Sequence, residues 1–214
     1  MGLAPLKKDY FTVEEYLERE RKSFERHIYL DGEIFEMAGE STAHGHICVN
    51  LVREISSQLK GRPCSTFTKE TKVRSGSDLD LHRWLKGFFS YPDVVVVCGD
   101  LQYHDKYKDI LLNPTVIIEV LSETTEAFDR GEKFRRFRTH LPTLTDYVLV
   151  SQDRPFIDHY RRGNNHEWIL SSLSDLDESL NLYGLDCRIP LREIYDRVEF
   201  PEFEYPASEE ETPS

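Results

Sequence analysis

Two runs, Val94–Cys98 and Val116–Leu121, constrain this chain more than any other feature, because each is a continuous stretch of apolar, largely β-branched residues. A strand with one wet face alternates apolar and polar side chains, whereas an unbroken run marks a strand covered on both faces. Both runs are therefore expected at the centre of a sheet. Each also carries a carboxylate where one is costly. Asp93 stands at the mouth of the first run, in the stretch SYPDVVVV, and Glu119 lies inside the second, in NPTVIIEVLS. A lone buried carboxylate is unfavourable, so two on neighbouring strands suggest a shared partner, and the simplest one is a divalent cation.

Mg2+, or Mn2+ in its place, takes hard oxygen ligands and keeps waters or substrate oxygens in its remaining positions. Asp93, Glu119 and the backbone carbonyl of Val120 would supply three of them. Such an ion lowers the pKa of a bound water and shields the charge that gathers on a phosphodiester under attack. Taken singly, each residue has a plainer reading: Pro-Asp is a common turn, and a glutamate in a strand can face solvent or pair with an arginine.

The rest of the chain supplies the elements around these strands. Thr12 followed by Glu14 and Glu15 reads as the start of a helix over 13–22. HIYLDGEIFEMAG alternates around Asp-Gly and predicts a β-hairpin. Ile47, Leu51, Ile55 and Leu59 at i, i+4 spacing predict an amphipathic helix over 43–59, closed by Gly61 and Pro63. Short strands are expected at 65–69 and 70–74, a loop at 75–85, a helix in EAFDRGEKFRRFRTH, strands at 147–150, 157–161 and 168–171, and a last short helix around 191–195. Trp84, Phe88, Phe89 and Tyr91 form an aromatic cluster that suits either a DNA-facing loop or packing at a sheet edge.

Bulk properties bound the function. With 214 residues and 39% hydrophobic content, one domain with a proper core is expected over 1–198. No apolar stretch approaches the roughly 20 residues of a membrane span, and the N-terminus lacks a signal-peptide centre, so a cytoplasmic protein is expected. The net charge of −12 argues against a broad nucleic-acid surface, but six glutamates of that excess lie in the tail beyond Val198, so 199–214 reads as an acidic, disordered extension. Against it, Arg130, Lys133, Arg135, Arg136 and Arg138 place five cations in nine positions, a local patch suited to phosphate contacts. The four cysteines lack CxxC spacing and read as free thiols. His44 and His46 form an H-x-H pair that could in principle bind zinc.

Asp129 and Lys133 stand i, i+4 on one helical face. That spacing fits a surface salt bridge, and equally a lysine reaching over a metal site to steady a charged transition state.

The ordered set DGEIFEM, His44 followed by VNL, YPDVVVV, NPTVIIEVLSETTEAFDRGEKF and LTDYVLV resembles the Uma2 (DUF820) family of restriction-endonuclease-like proteins, abundant in cyanobacteria, over nearly the whole chain. The resemblance implies the PD-(D/E)XK nuclease fold, an α/β architecture with a mixed central sheet flanked by helices. It implies a metal-dependent DNA endonuclease with Asp93 and Glu119 as the acidic pair and Lys133 as the lysine. Leu121 occupies the place, two beyond Glu119, where better-known members of the superfamily carry that lysine. Glu33 matches an N-terminal acidic position that completes the metal site in such proteins, and His44 also falls on a family position as an accessory or helix-capping residue, with Asp129 beside Lys133. Arg130, Arg135, Arg136 and Arg138 would contact phosphates, and a homodimer follows by analogy with nucleases that cut both strands. The alternative is a nuclease fold kept as a nucleic-acid-binding or protein-interaction module.

Overall fold

The computed structural model describes residues 10–37, 39–76, 86–165 and 167–201. The expected loop at 75–85 and the tail beyond 201 lie largely outside the described residues, as does Trp84.

Helix α1 (Val13–Glu20) opens on a capping box: the Glu15 amide donates to Thr12 Oγ1 at 3.2 Å and the Thr12 amide donates to Glu15 Oε2 at 2.9 Å. The hairpin β1 (His27–Leu30) and β2 (Glu33–Glu36) turns on Asp31 and Gly32, both at positive φ, the conformation an Asp-Gly pair adopts most easily. Helix α2 (Thr42–Gln58) follows, and its apolar stripe, Ile47, Leu51 and Ile55, is fully buried. Next come β3 (Cys64–Thr68), β4 (Lys72–Ser75), β5 (Phe88–Ser90), β6 (Val94–Cys98), β7 (Ile110–Leu111) and β8 (Val116–Leu121). The helical segment 126–140 consists of α3 (Glu126–Phe128), a π-helical turn (Asp129–Lys133) and α4 (Phe134–His140). The chain closes with β9 (Asp146–Ser151), β10 (Ile157–Arg162), β11 (Trp168–Leu173), β12 (Ser179–Leu182), β13 (Cys187–Pro190) and α5 (Leu191–Ile194).

The strands divide into a six-stranded sheet, β11-β10-β9-β8-β6-β3, a five-stranded sheet, β2-β1-β5-β4-β7, and the small hairpin β12-β13. Both larger sheets are mixed: β8 runs parallel to β9, and β4 parallel to β7, while their other pairings are antiparallel. The two apolar runs are adjacent interior strands of the larger sheet. Alternate residues of β6 and β8 then face two different cores. Val94, Val96, Val116, Ile118 and Val120 pack under α2, α5 and the β12-β13 hairpin. Val95, Val97, Ile117 and Leu121 pack against Phe134 and Phe137 of α4 and against the five-stranded sheet through Ile28, Val73 and Phe88. A third cluster seats α1 on the outer face of the smaller sheet. Among the described residues no helix is long and apolar enough to cross a membrane.

One expectation changes, and one pair of alternatives is decided. Of the two readings of the aromatic cluster, packing holds for Phe88 and Phe89, which are fully buried in β5, where edge-to-face and tilted ring contacts tie the smaller sheet to α1 and to the helical segment. Cys64 and Cys98, read as free thiols, form a disulfide, since the β3–β6 register sets them directly opposite one another. Cys48 and Cys187 are the free ones.

Candidate functional site

The antiparallel register of β6 on β8 pairs Val94 with Ile118 and Val95 with Ile117. Carried one residue further, it sets Asp93 opposite Glu119. Directly opposed residues on an antiparallel pair hold their Cβ atoms about 4.5–5.5 Å apart, so the two side chains start from the same end of the sheet, and both line one cleft there. Asp93 is clamped there: its Oδ2 accepts the Val120 amide at 2.8 Å, and its Oδ1 lies 2.9 Å from His44 Nε2.

Glu119 points to the side covered by the helical segment, where the π turn presents Asp129 and Lys133 together. Lys133 Nζ lies 2.8 Å from Glu119 Oε1 and 2.9 Å from Asp129 Oδ1. All three are buried, at 3% exposure for each carboxylate and 4% for the lysine. The π turn itself is held against the sheet by the Tyr147 hydroxyl, which donates to the Asp129 carbonyl at 2.9 Å. Burial pushes the Glu119 carboxyl well above the usual carboxylate range, and the charges of Asp129 and Asp93 add to this, while Lys133 offsets it only in part. Burial alone would lower the Lys133 ammonium, but the attractions of Asp129 and Glu119 outweigh it and hold it above its ordinary value, charged.

The cluster is therefore unbalanced: Glu119 and Asp129 share the one buried lysine, and Asp93 beside them is held by His44 and the Val120 amide. Glu119 Oε1 also receives no well-directed hydrogen bond, since Lys133 approaches it off axis. An under-satisfied buried carboxylate oxygen beside a second carboxylate suits a hard divalent cation.

These side chains open into a cleft of about 320 Å³. Its other walls include Arg26, Glu40, Ser41, Lys69 and Gln152, none singled out from the sequence. Glu40 and Lys69 pair across the rim at 2.5 Å. No local sequence pattern marks Glu40, Ser41 or Lys69.

Other expected residues are elsewhere. Glu33 sits beside the hairpin turn, opposite Leu30, whereas the open end of the hairpin, at Arg26 and Met37, borders the cleft. Glu33 lies four strand positions from Met37, about 13 Å, and does not line the site; Glu25 and Glu40 are the acids of the N-terminal part that do. The arginine patch is largely spent on internal partners. Arg130 contacts Glu126 at 2.7 Å and Asp158 at 2.5 Å, Arg135 pairs with Glu132, and Arg136 pairs with Glu132 and Asp31. Arg138 is exposed, its guanidinium 5.5 Å from the Phe134 ring centre. None of the four lines the cleft.

Comparison with known proteins agrees with this architecture. The chain is 31% identical over 165 residues to the protein sll1609 of Synechocystis sp., covering 76% of this chain and 86% of that protein. It is 32% identical over 189 residues to slr1290 of the same organism, covering 88% and 93%. A crystal structure from Anabaena variabilis, described as "a putative nuclease belonging to DUF820", superposes with a TM-score of 0.68 at 16% identity, covering 86% of this chain and 97% of that one, and so shares the fold. Residues 13–191 match the family model described as "Uma2: Putative restriction endonuclease". The chain belongs to the Uma2 family.

Proposed function

We propose that the chain is a metal-dependent phosphodiesterase acting as a DNA endonuclease. The observation that carries this reading is the cleft that Asp93, at the mouth of β6, Glu119 of the neighbouring β8 and the buried ammonium of Lys133 line together. Asp93, Glu119 and the Val120 carbonyl would hold Mg2+ or Mn2+, and the excess of carboxylates over ammonium supports that fit. When bound, such an ion supplies Lewis-acid polarisation of the scissile phosphate and a water of lowered pKa.

The chain's own residues do the rest. Lys133 donates to the phosphate oxygen on which negative charge builds, in a buried setting where that interaction is poorly screened. Asp129 keeps Lys133 protonated and aimed at the cleft. His44 and the Val120 amide hold the Asp93 carboxylate in one orientation. Because Lys133 comes from the π turn, the lysine missing at Leu121 is replaced from a different element.

A second reading, a nuclease fold acting as a nucleic-acid-binding or protein-interaction module, draws support from the arginines tied up in internal ion pairs. Nicking of supercoiled plasmid in Mg2+ and in Mn2+ separates the two. The wild type is expected to nick, and Asp93→Ala and Lys133→Met to lose at least tenfold in rate. Undiminished cleavage by Asp93→Ala would move the chemistry to another site or to a contaminant, and an inert wild type in both ions would leave the binding module. Cutting both strands requires two such sites, so sedimentation of the active species is expected to give a homodimer.

A further inference from the structure

We propose that His44, Cys48 and Asp93 form a second metal site, one for a thiophilic divalent ion such as Zn2+, that shares Asp93 with the acidic pair. His44 and Cys48 stand i, i+4 on one face of α2, and Asp93 reaches the same point from the mouth of β6. A ring nitrogen of His44, Cys48 Sγ and an Asp93 carboxylate oxygen all lie within 4.8 Å of one another. The His44–Asp93 edge of that triangle is already 2.9 Å. A tetrahedral zinc ion, with bonds of about 2.0–2.3 Å, spaces its ligands on the order of 3.5 Å apart, so the three donors already stand near the spacing such an ion sets.

The donor set discriminates between ions. One nitrogen, one sulfur and one oxygen suit Zn2+ or Co2+, whereas Mg2+ prefers oxygen alone. Asp93 is prepared for the role: the Val120 amide fixes Oδ2 and leaves Oδ1 as the donor, the kind of outer support that orients a metal ligand. The site is reachable, because Cys48 and Asp93 both line a cavity of about 330 Å³ on the α2 side. Glu40 Oε2 lies 3.8 Å from His44 Nε2 and would serve as a fourth donor on leaving its pair with Lys69. The H-x-H pair is not involved; the partner of His44 is one helical turn on, at Cys48. Binding releases the Cys48 thiol proton to solvent as the sulfur bonds to the ion.

The consequence for activity rests on the proposed nuclease function. An ion seated here draws Asp93 out of the acidic pair, so zinc acts as an inhibitor of Mg2+-supported cleavage.

Cobalt titration of the full chain tests the site without any activity. Co2+ is expected to give a thiolate-to-cobalt charge-transfer band that saturates at one ion per chain, persists in Glu119→Gln and in Cys187→Ser, and disappears in Cys48→Ser of unchanged circular dichroism. Absence of the band in the wild type, or its survival in Cys48→Ser, overturns the site. In the nicking assay, Zn2+ equimolar with the chain is expected to slow the wild type at least tenfold and to leave Cys48→Ser at its zinc-free rate. Equal inhibition of both would refute the sharing of Asp93. A chain that shows the band but never nicks would refute the nuclease reading while leaving the metal site standing.

Discussion

Glu119 is where activity and stability pull apart. Its folded-state pKa is raised above the ordinary 4.5, chiefly by burial, so the folded chain binds its proton more tightly than the unfolded chain does. Stability from this group is therefore fullest below about pH 4.5 and is lost as pH rises through the raised folded value. Glu119→Gln removes the ionisable group, while Asp129 still pairs with Lys133 at 2.9 Å. In chelator, the melting temperatures of variant and wild type are expected to converge near pH 4.5 and to separate towards pH 8. The variant should be the more stable by about 1 kcal/mol there and should be inactive. A variant less stable than the wild type at pH 8 would mean that the Lys133 contact outweighs the burial cost. Much of this residue-level picture was readable in the sequence. The apolar runs fix the strands, and Asp93 and Glu119 fall at positions that antiparallel pairing can oppose. That Glu25 and Glu40 rather than Glu33 line the cleft was not readable, because it depends on which end of the hairpin meets the larger sheet, a matter of packing between two sheets.

At the scale of elements, the N-terminus of α2 joins several parts of the site. Ser41 Oγ accepts the His44 amide at 3.1 Å and donates to Gln152 Oε1 at 2.5 Å, and Gln152 Nε2 donates to the Leu121 carbonyl at 2.8 Å. One cap residue thus ties the helix carrying His44 to the ends of β8 and β9. Ser41→Ala is expected to cost about 1 kcal/mol in urea unfolding, the usual loss for a cap. It should also weaken divalent-ion affinity measured by calorimetry, because His44 and so Asp93 lose their fixed position. Thr12→Ala, at the capping box of α1, is expected to cost a similar amount with no change in ion affinity. Equal affinity in both variants would show the α2 cap to be purely structural. The helices and the hairpin were legible from their periodic or turn signals, and the two central strands from their unbroken apolar runs. The strands β5, β7, β12 and β13 were not, being two to four residues long, too short for a period to declare itself. The π turn leaves no pattern either: Asp129 and Lys133 look the same at i, i+4 whether the backbone between them is α or π, and the hydrogen bond from the Tyr147 hydroxyl to the Asp129 carbonyl is a long-range contact that no local sequence announces.

At the scale of the whole molecule, charge governs how a polyanion could be held. The chain carries a net charge of −12, and the segment that looked like a phosphate-binding patch spends Arg130, Arg135 and Arg136 on Glu126, Asp158, Glu132 and Asp31. Those pairs fasten the helical segment to β10 and to the hairpin turn, a role no count of cations in the sequence could distinguish from DNA binding. Each phosphate neutralised by a free cation adds about −0.9 to the slope of log affinity against log salt concentration. With these arginines engaged and Lys69 paired to Glu40, the cleft offers few free cations, so duplex DNA is expected to bind weakly, with a slope shallower than about −3. Fluorescence anisotropy with a labelled duplex in Ca2+, over a range of salt concentrations, measures it. A slope of about −6 or steeper would mean that the arginines leave their carboxylates to meet DNA, and the helical segment would then be a binding surface that rearranges on contact. A shallow slope that becomes immeasurable in chelator would instead assign affinity to an ion bridging the acidic pair and a phosphate, and would make Asp93 and Glu119 the principal determinants of nucleic-acid binding.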